Sequence, residues 1–165
     1  MILSLLLNTW VLLMSKKFDF EIVSVHEGPK ESPGFLLWRV STSWRTHIES
    51  VLKKLNLTHP QFVVLATTGW LTRKGGFVTQ TAIGTMAGLD PNTNSQIIKG
   101  LELKKLIKRT PSTDGRAKNV SLTGQGIKVL GLALPAVEKT DAEFFCRLTE
   151  KELNSLLKVF GKLLL

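Results

Sequence analysis

Cysteine is almost absent: Cys146 stands alone in 165 residues. That excludes an intrachain disulfide and fits a reducing, cytoplasmic setting. Histidine is scarce too. His26, His47 and His59 are scattered, and none falls in HxxxH or CxxC spacing, so neither a metal nor another cofactor is expected. The parts of common catalytic sites are missing: there is no GxSxG, no P-loop, no GxGxxG behind a strand, no paired carboxylates and no Cys–His set. The basic, glycine-ended stretch 72–76 is too short for a phosphate loop and lacks the helix-opening pattern of one. The chain is not expected to be an enzyme.

Long apolar runs are also lacking. Roughly the first 14 residues are largely apolar, short of the ~20 that span a bilayer as a helix. Lys16 and Lys17 follow this run, whereas the charges of a signal peptide precede it. Residues 1–30 are read as an N-terminal extension of uncertain role, either a helix covering a partner surface or residues upstream of the functional start, and no membrane partner is expected.

Acidic residues are few, 13 against 22 lysines and arginines, for a formal charge of +9. A basic surface gains both long-range attraction and counterion release on meeting phosphates. Much of the excess is local: Lys99, Lys104, Lys105, Lys108, Arg109, Arg116 and Lys118 are opposed between positions 99 and 118 only by Glu102 and Asp114. With 43% hydrophobic and 21% charged residues, the chain has the composition of one folded domain with a packed core.

Periodicity outlines the elements. Leu37, Val40, Trp44, Ile48, Val51 and Leu55 recur at spacings of three and four, predicting a helix over 33–56. Thr58 with Gln61 makes a capping box, and Pro60 sits in the first turn of the next helix, which runs to about Trp70. A β-prone stub at 77–79 precedes a short helix over 80–87 that Gly88 ends. Asp90 and Pro91 open another helix, running to about Lys105, as N-cap and first helical residue. Two helices separated by Gly88, Leu89 and Asp90 form a helix-turn-helix.

The second of these helices offers Ile97, Ile98 and Leu101 to a core, and its opposite face carries Asn92, Ser95, Gln96 and Lys99. Strands over 106–110 and 117–122, joined by the turn 111–115, form a hairpin behind it, which is a wing. Ile127, Leu130, Leu134, Val137 and Phe144 then mark a long helix, with Pro135 as a candidate bend. Thr149 and Glu152 cap a last helix bearing Leu153, Leu156, Leu157, Phe160 and Leu163. The expected fold is mainly α with a small β-wing: a dimerisation helix over 31–57, a winged helix-turn-helix lobe over 58–123, and dimerisation helices over 124–165 whose apolar stripes a homodimer would bury.

Several stretches resemble the MarR family of bacterial winged-helix regulators: Leu57-Thr58-His59-Pro60-Gln61-Phe62, Ala87-Gly88-Leu89-Asp90-Pro91, Leu101-Glu102-Leu103-Lys104-Lys105-Leu106-Ile107-Lys108-Arg109, Asp114-Gly115-Arg116-Ala117-Lys118 and Ser121-Leu122-Thr123. The resemblance implies a dimer whose two lobes read a pseudo-palindromic operator on double-stranded DNA, most often as a repressor. Three positions depart from the family's habit. Asn94 stands where an apolar residue is common, Gln96 where an arginine is, and Lys105 where a glycine closes the helix. The first two are expected to bear on operator sequence, and the third to change the conformation of the helix end.

In a major groove, the expected base and phosphate contacts are Asn92, Thr93, Ser95, Gln96 and Lys99. Arg116, at the hairpin tip, is expected in the minor groove, where the resemblance implies that Asp114 helps orient it, with Lys118, Arg73 and Lys74 on phosphates. The family commonly binds phenolic or other lipophilic effectors between the dimerisation helices and the DNA lobe. Trp38, Trp44, His47 and Phe62 are candidates for lining such a pocket, though aromatics at helical spacing are also ordinary core. Cys146, beside Phe144 and Phe145, is expected to be a buried, inert thiol. The alternative function is a winged helix for non-specific nucleoid binding or protein association, without a dedicated operator.

Overall fold

The computed structural model describes residues 18–111 and 118–164. It contains α1 (Phe20–Val23), α2 (Pro33–Lys53), α3 (His59–Thr72), β1 (Val78–Thr79), α4 (Gln80–Ala87), α5 (Pro91–Leu103), β2 (Ile107–Pro111), β3 (Lys118–Leu122), α6 (Gly124–Phe145) and α7 (Glu150–Leu163). The fold is mainly α with a small β-wing, as the sequence predicts. Two units divide at Ser43 and Trp44.

The first unit holds α1 and the beginning of α2. Asp19 caps α1 by accepting from the Glu21 N–H. Phe35, Leu36, Leu37, Trp38 and Val40 are all exposed on α2.

The second unit holds the core. Ile48 and Leu52 of α2, Val64 and Leu65 of α3, Ile83 of α4, Ile98 and Leu101 of α5, and Val120 of β3 have no exposed surface. Helices α3, α4 and α5 therefore share one apolar centre, which the sheet closes. Its strand order is β1-β3-β2, antiparallel throughout, with Ile107 opposite Leu122 and Pro111 opposite Lys118. The stub β1 is more than a connector: Val78 pairs with Val120 and Thr79 with Asn119, which covers the second edge of β3.

The helix starts follow the sequence closely. Thr58 Oγ1 accepts from the Gln61 N–H and Gln61 Oε1 from the Thr58 N–H, both at 3.3 Å, and Thr149 with Glu152 repeats the box on α7. Helix ends show a second shared device. After α2, α4 and α5 the chain turns through a left-handed residue, Asn56 (φ 54°), Gly88 (φ 65°) and Lys105 (φ 58°). In each case the next residue's N–H reaches back to a carbonyl of the last turn: Leu57 to Leu52 at 3.1 Å, Leu89 to Gly84 at 2.9 Å and Leu106 to Leu101 at 3.0 Å. Helix α2 therefore ends at Lys53, and Asn56 is its left-handed cap, not its last helical residue.

Lys105 corrects an expectation. The helix end keeps the left-handed turn that glycine favours, because Leu106 beyond it is buried and its N–H is committed to Leu101. A lysine there carries a side-chain clash worth about 1–2 kcal/mol. Lys105→Gly is accordingly expected to stabilise the protein by about 1 kcal/mol, raising the thermal midpoint by roughly 2–4 °C. A fall in the midpoint would contradict this account. Asn56→Gly, at a residue that tolerates αL, should change it less.

Helix α6 runs unbroken through Pro135. Ile127, Leu132 and Leu134 on α6 are exposed, as are Leu157, Val159, Phe160 and Leu163 on α7, where no residue is buried. Cys146 at the end of α6 is exposed, which corrects the expected burial: its apolar neighbours Phe144 and Phe145 stack edge to face on each other and leave the thiol outside. Among the described residues no helix is long and apolar enough to cross a membrane.

Candidate nucleic-acid interface

Helix α5 is set at both ends. Asp90 caps it, with Oδ1 accepting from the Asn92 and Thr93 N–H groups at 3.0 Å each. The hydrogen bond from the Thr93 side chain, followed by those from the backbone, holds the Asp90 carboxyl below its usual range. At the other end the turn through Lys105 leads into the wing. There the Thr123 hydroxyl donates to Lys105 O at 2.7 Å and accepts from the Gly126 N–H at 2.9 Å, so one side chain joins the end of α5 to the start of α6.

Between these anchors α5 buries Asn94, Ile98 and Leu101. Asn92, Thr93, Gln96 and Lys99 are exposed and Ser95 is half-buried. From Asn92 to Lys99 the outward face therefore carries amides, hydroxyls and an amine, and the helix's one carboxylate, Glu102, is paired with Arg109. Thr93 divides its hydroxyl between that face and the cap.

Asn94, one of the departures expected to bear on operator sequence, is turned inward. It is 2% exposed, and its Nδ2 donates to the Gln80 carbonyl of α4 at 2.7 Å. It joins the two helices of the helix-turn-helix and does not face outward to a base. Gly84 makes room for it: a Cβ there would stand 2.7 Å from Asn94 Nδ2. Glycine in a helix costs about 1 kcal/mol relative to alanine, and this notch is its structural reason.

The basic stretch is thinner than its sequence suggests. The Arg109 Nε donates to Glu102 Oε2 at 2.9 Å and its Nη2 pairs with the same oxygen, holding the Glu102 carboxyl below the usual carboxylate range. The Lys104 ammonium donates to Asn56 O at 2.5 Å and Gln61 Oε1 at 2.8 Å, tying α5 to the start of α3. Lys99, Lys105, Lys108 and Lys118 remain exposed. Asp114 and Arg116 lie outside the described residues. Arg73 stacks on Trp70, with its guanidinium carbon 3.7 Å from the ring centre, and donates to Trp70 O at 2.6 Å; Lys74 beside it is exposed.

Lys118 lines a groove of about 330 Å³ together with Gln80, Thr81, Thr85, Pro91 and Asn94. Thr81 and Thr85, spaced four apart on one face of α4, are not among the contacts that the sequence predicts.

The aromatic candidates take several positions. Phe62 lies in the core of the second unit. Trp44 donates from Nε1 to Asp141 Oδ1 at 2.7 Å and meets His59 edge to face at 4.9 Å. His47 meets Phe144 at 5.7 Å. Trp38, in the first unit, is exposed.

Burial and then Arg45 lower the His59 pKa below 6.5, against the opposite pull of Glu49 and Asp141. The folded state therefore binds this proton less readily than the unfolded chain. Its contribution is present above pH 6.5 and is lost as pH falls from there through the lowered folded value. The thermal midpoint of His59→Phe is expected to fall less than wild type between about pH 7 and 5.5. Parallel pH curves would refute this assignment.

A capped helix-turn-helix, a Thr-anchored hairpin and a second edge strand define a winged-helix protein. The comparisons place it further. No family model matches the chain. It is 36% identical over 141 residues to the uncharacterized HTH-type transcriptional regulator YdcH of Bacillus subtilis, covering 82% of this chain and 96% of that one. It is 28% identical over 131 residues to the HTH-type transcriptional repressor Rv2887 of Mycobacterium tuberculosis, covering 79% and 91%.

Among solved structures, a MarR-family transcriptional regulator from Rhodococcus sp. RHA1 superposes with a TM-score of 0.75 at 21% identity, over 84% of this chain and 96% of the other. CouR of Rhodococcus jostii RHA1, bound to p-coumaroyl-CoA, gives 0.73 at 21% identity over 84% and 96%. The MepR–DNA complex of Staphylococcus aureus gives 0.72 at 23% identity over 83% and 97%. These structural likenesses establish the fold. With the closer sequence relative, the chain belongs to the MarR family of winged-helix transcriptional regulators, which bind DNA.

Proposed function

We propose that the chain is a sequence-specific repressor that binds a pseudo-palindromic operator as a homodimer and is released by a small lipophilic or phenolic effector. The observation that carries the DNA reading is α5 itself: a doubly anchored helix whose outward face holds Asn92, Thr93, Ser95, Gln96 and Lys99, its one carboxylate, Glu102, being paired with Arg109. A major groove admits such a helix, and amides and amines complement its base edges and the flanking phosphates. In this reading Lys118 and Lys74 meet phosphates, and Arg116, oriented by Asp114, enters the minor groove.

The dimer is supported by the exposed apolar residues of α6 and α7, among them Leu132, Leu134, Leu157, Phe160 and Leu163, which would otherwise stand in water. MepR bound to DNA, CouR bound to p-coumaroyl-CoA and the repressor Rv2887 support operator binding, an effector and repression respectively. For the effector, Trp44, His47 and Phe62 of the second unit remain the candidate contacts. The domain plan is 31–57 and 124–165 for dimerisation and 58–123 for DNA, with a cytoplasmic location.

The test is binding to duplex from beside the chain's own coding region against random duplex over a salt series. An operator-specific protein keeps a large affinity ratio as salt rises, because base contacts release few counterions. Equal affinity for both duplexes at moderate salt would reject the operator reading and favour non-specific nucleoid binding.

A further inference from the structure

We infer that Asn94 is a specificity-determining positioning residue, fixing the roll of α5 against α4 and thereby choosing which bases its neighbours meet, while touching no base itself. The inference rests on the operator reading above. Three observations carry it.

The first is direction. Ile98 and Leu101 hold α5 by apolar packing, which tolerates small rotations. The Asn94 amide donates to one fixed main-chain oxygen, Gln80 O, at 2.7 Å. A carbonyl has two lone pairs, so Gln80 O can accept this bond besides its helical one. Rotation of α5 would stretch a bond whose donor side chain is 2% exposed.

The second is fit. A Cβ on Gly84 would lie 2.7 Å from Asn94 Nδ2 and 3.3 Å from its Cγ. The amide therefore sits in a notch formed by a residue without a side chain, and both its position and its partner are specified.

The third is that Asn94 is poorly explained as a stabiliser. Its Oδ1 is buried with no hydrogen-bond partner among the described residues. An apolar side chain would fill the site without leaving an acceptor unpaired, so the asparagine has a purpose other than stability. Ser95 and Gln96 follow directly on the same helix, and Lys99 lies just over a turn further on. A roll of about 15° in a helix with a side-chain radius of about 5–6 Å moves such a residue by roughly 1.5 Å. Binding constellations tolerate about 0.5 Å.

The experiment selects duplexes from one randomised pool with the full-length wild type and with Asn94→Leu. Affinities for the wild-type winner and for random duplex are then measured, alongside thermal midpoint and sedimentation. Asn94→Leu is expected to keep its fold, its association state and its random-duplex affinity. Its affinity ratio for the wild-type winner should fall about tenfold or more, and its own selected sequence should differ. That pattern separates positioning from general stability, which would lower both affinities together.

An unchanged ratio and winner would overturn the inference while leaving operator binding intact. A wild type that selects no sequence overturns both. Should Asn94→Leu unfold the lobe, Gly84→Ala decides in its place: it keeps the asparagine, drives a methyl into the notch, and is expected to give the same loss of ratio. A folded Gly84→Ala with the wild-type ratio counts against the inference.

Discussion

Gly126→Ala is expected to lower the thermal midpoint by roughly 6–12 °C, as a cost of about 3 kcal/mol acts on a chain of this size. A Cβ at Gly126 would stand 1.9 Å from Leu106 O and 2.9 Å from Leu106 C. Both are backbone atoms, so no side chain can rotate away. The start of α6 would have to withdraw from the turn that ends α5. The Thr123 N–H to Leu106 O bond at 3.0 Å and the Thr123 hydroxyl bond to Lys105 O at 2.7 Å would stretch with it. Gly124→Ala is the matched control. It lies two residues earlier on the same helix, and its Cβ would meet nothing within 4 Å, so the midpoint should hold or rise. A Gly126→Ala melt within about 2 °C of wild type would show that the junction relaxes easily.

This junction also shows where sequence reading succeeds and where it stops. The caps at Thr58, Asp90 and Thr149 were legible because both partners of each bond lie within three residues. The left-handed ends at Asn56 and Lys105 were not. Nothing local marks a lysine for positive φ; it is imposed by buried Leu106 and by Thr123, 18 residues on. The inward bond of Asn94 was not legible, because periodicity cannot separate a buried polar residue from an exposed one when the partner is a carbonyl 14 residues away. A charge count likewise cannot say which cations are free: Arg109 and Lys104 are engaged by Glu102, Gln61 and Asn56. Cys146 was misjudged because apolar neighbours in sequence do not fix which side of a helix end is covered.

The remaining cations and amides should divide cleanly between affinity and selectivity. Gln96→Ala is expected to weaken binding to the selected operator by about 10- to 100-fold, the effect of losing a bidentate amide contact worth about 1–3 kcal/mol. Binding to random duplex should change little. Lys99→Ala, on the same exposed face and three residues away, is expected to weaken both duplexes by a similar factor. It should also make the slope of log affinity against log salt shallower by about one unit, because one fewer phosphate is neutralised. The two substitutions remove comparable amounts of exposed side chain and neither touches the core, so a stability effect common to both cannot produce opposite signatures. If Gln96→Ala instead reduces random and selected binding equally, with a changed salt slope, then α5 lies along phosphates and not in the groove. The burial of Asn94, Ile98 and Leu101 would then orient the helix for non-specific attachment.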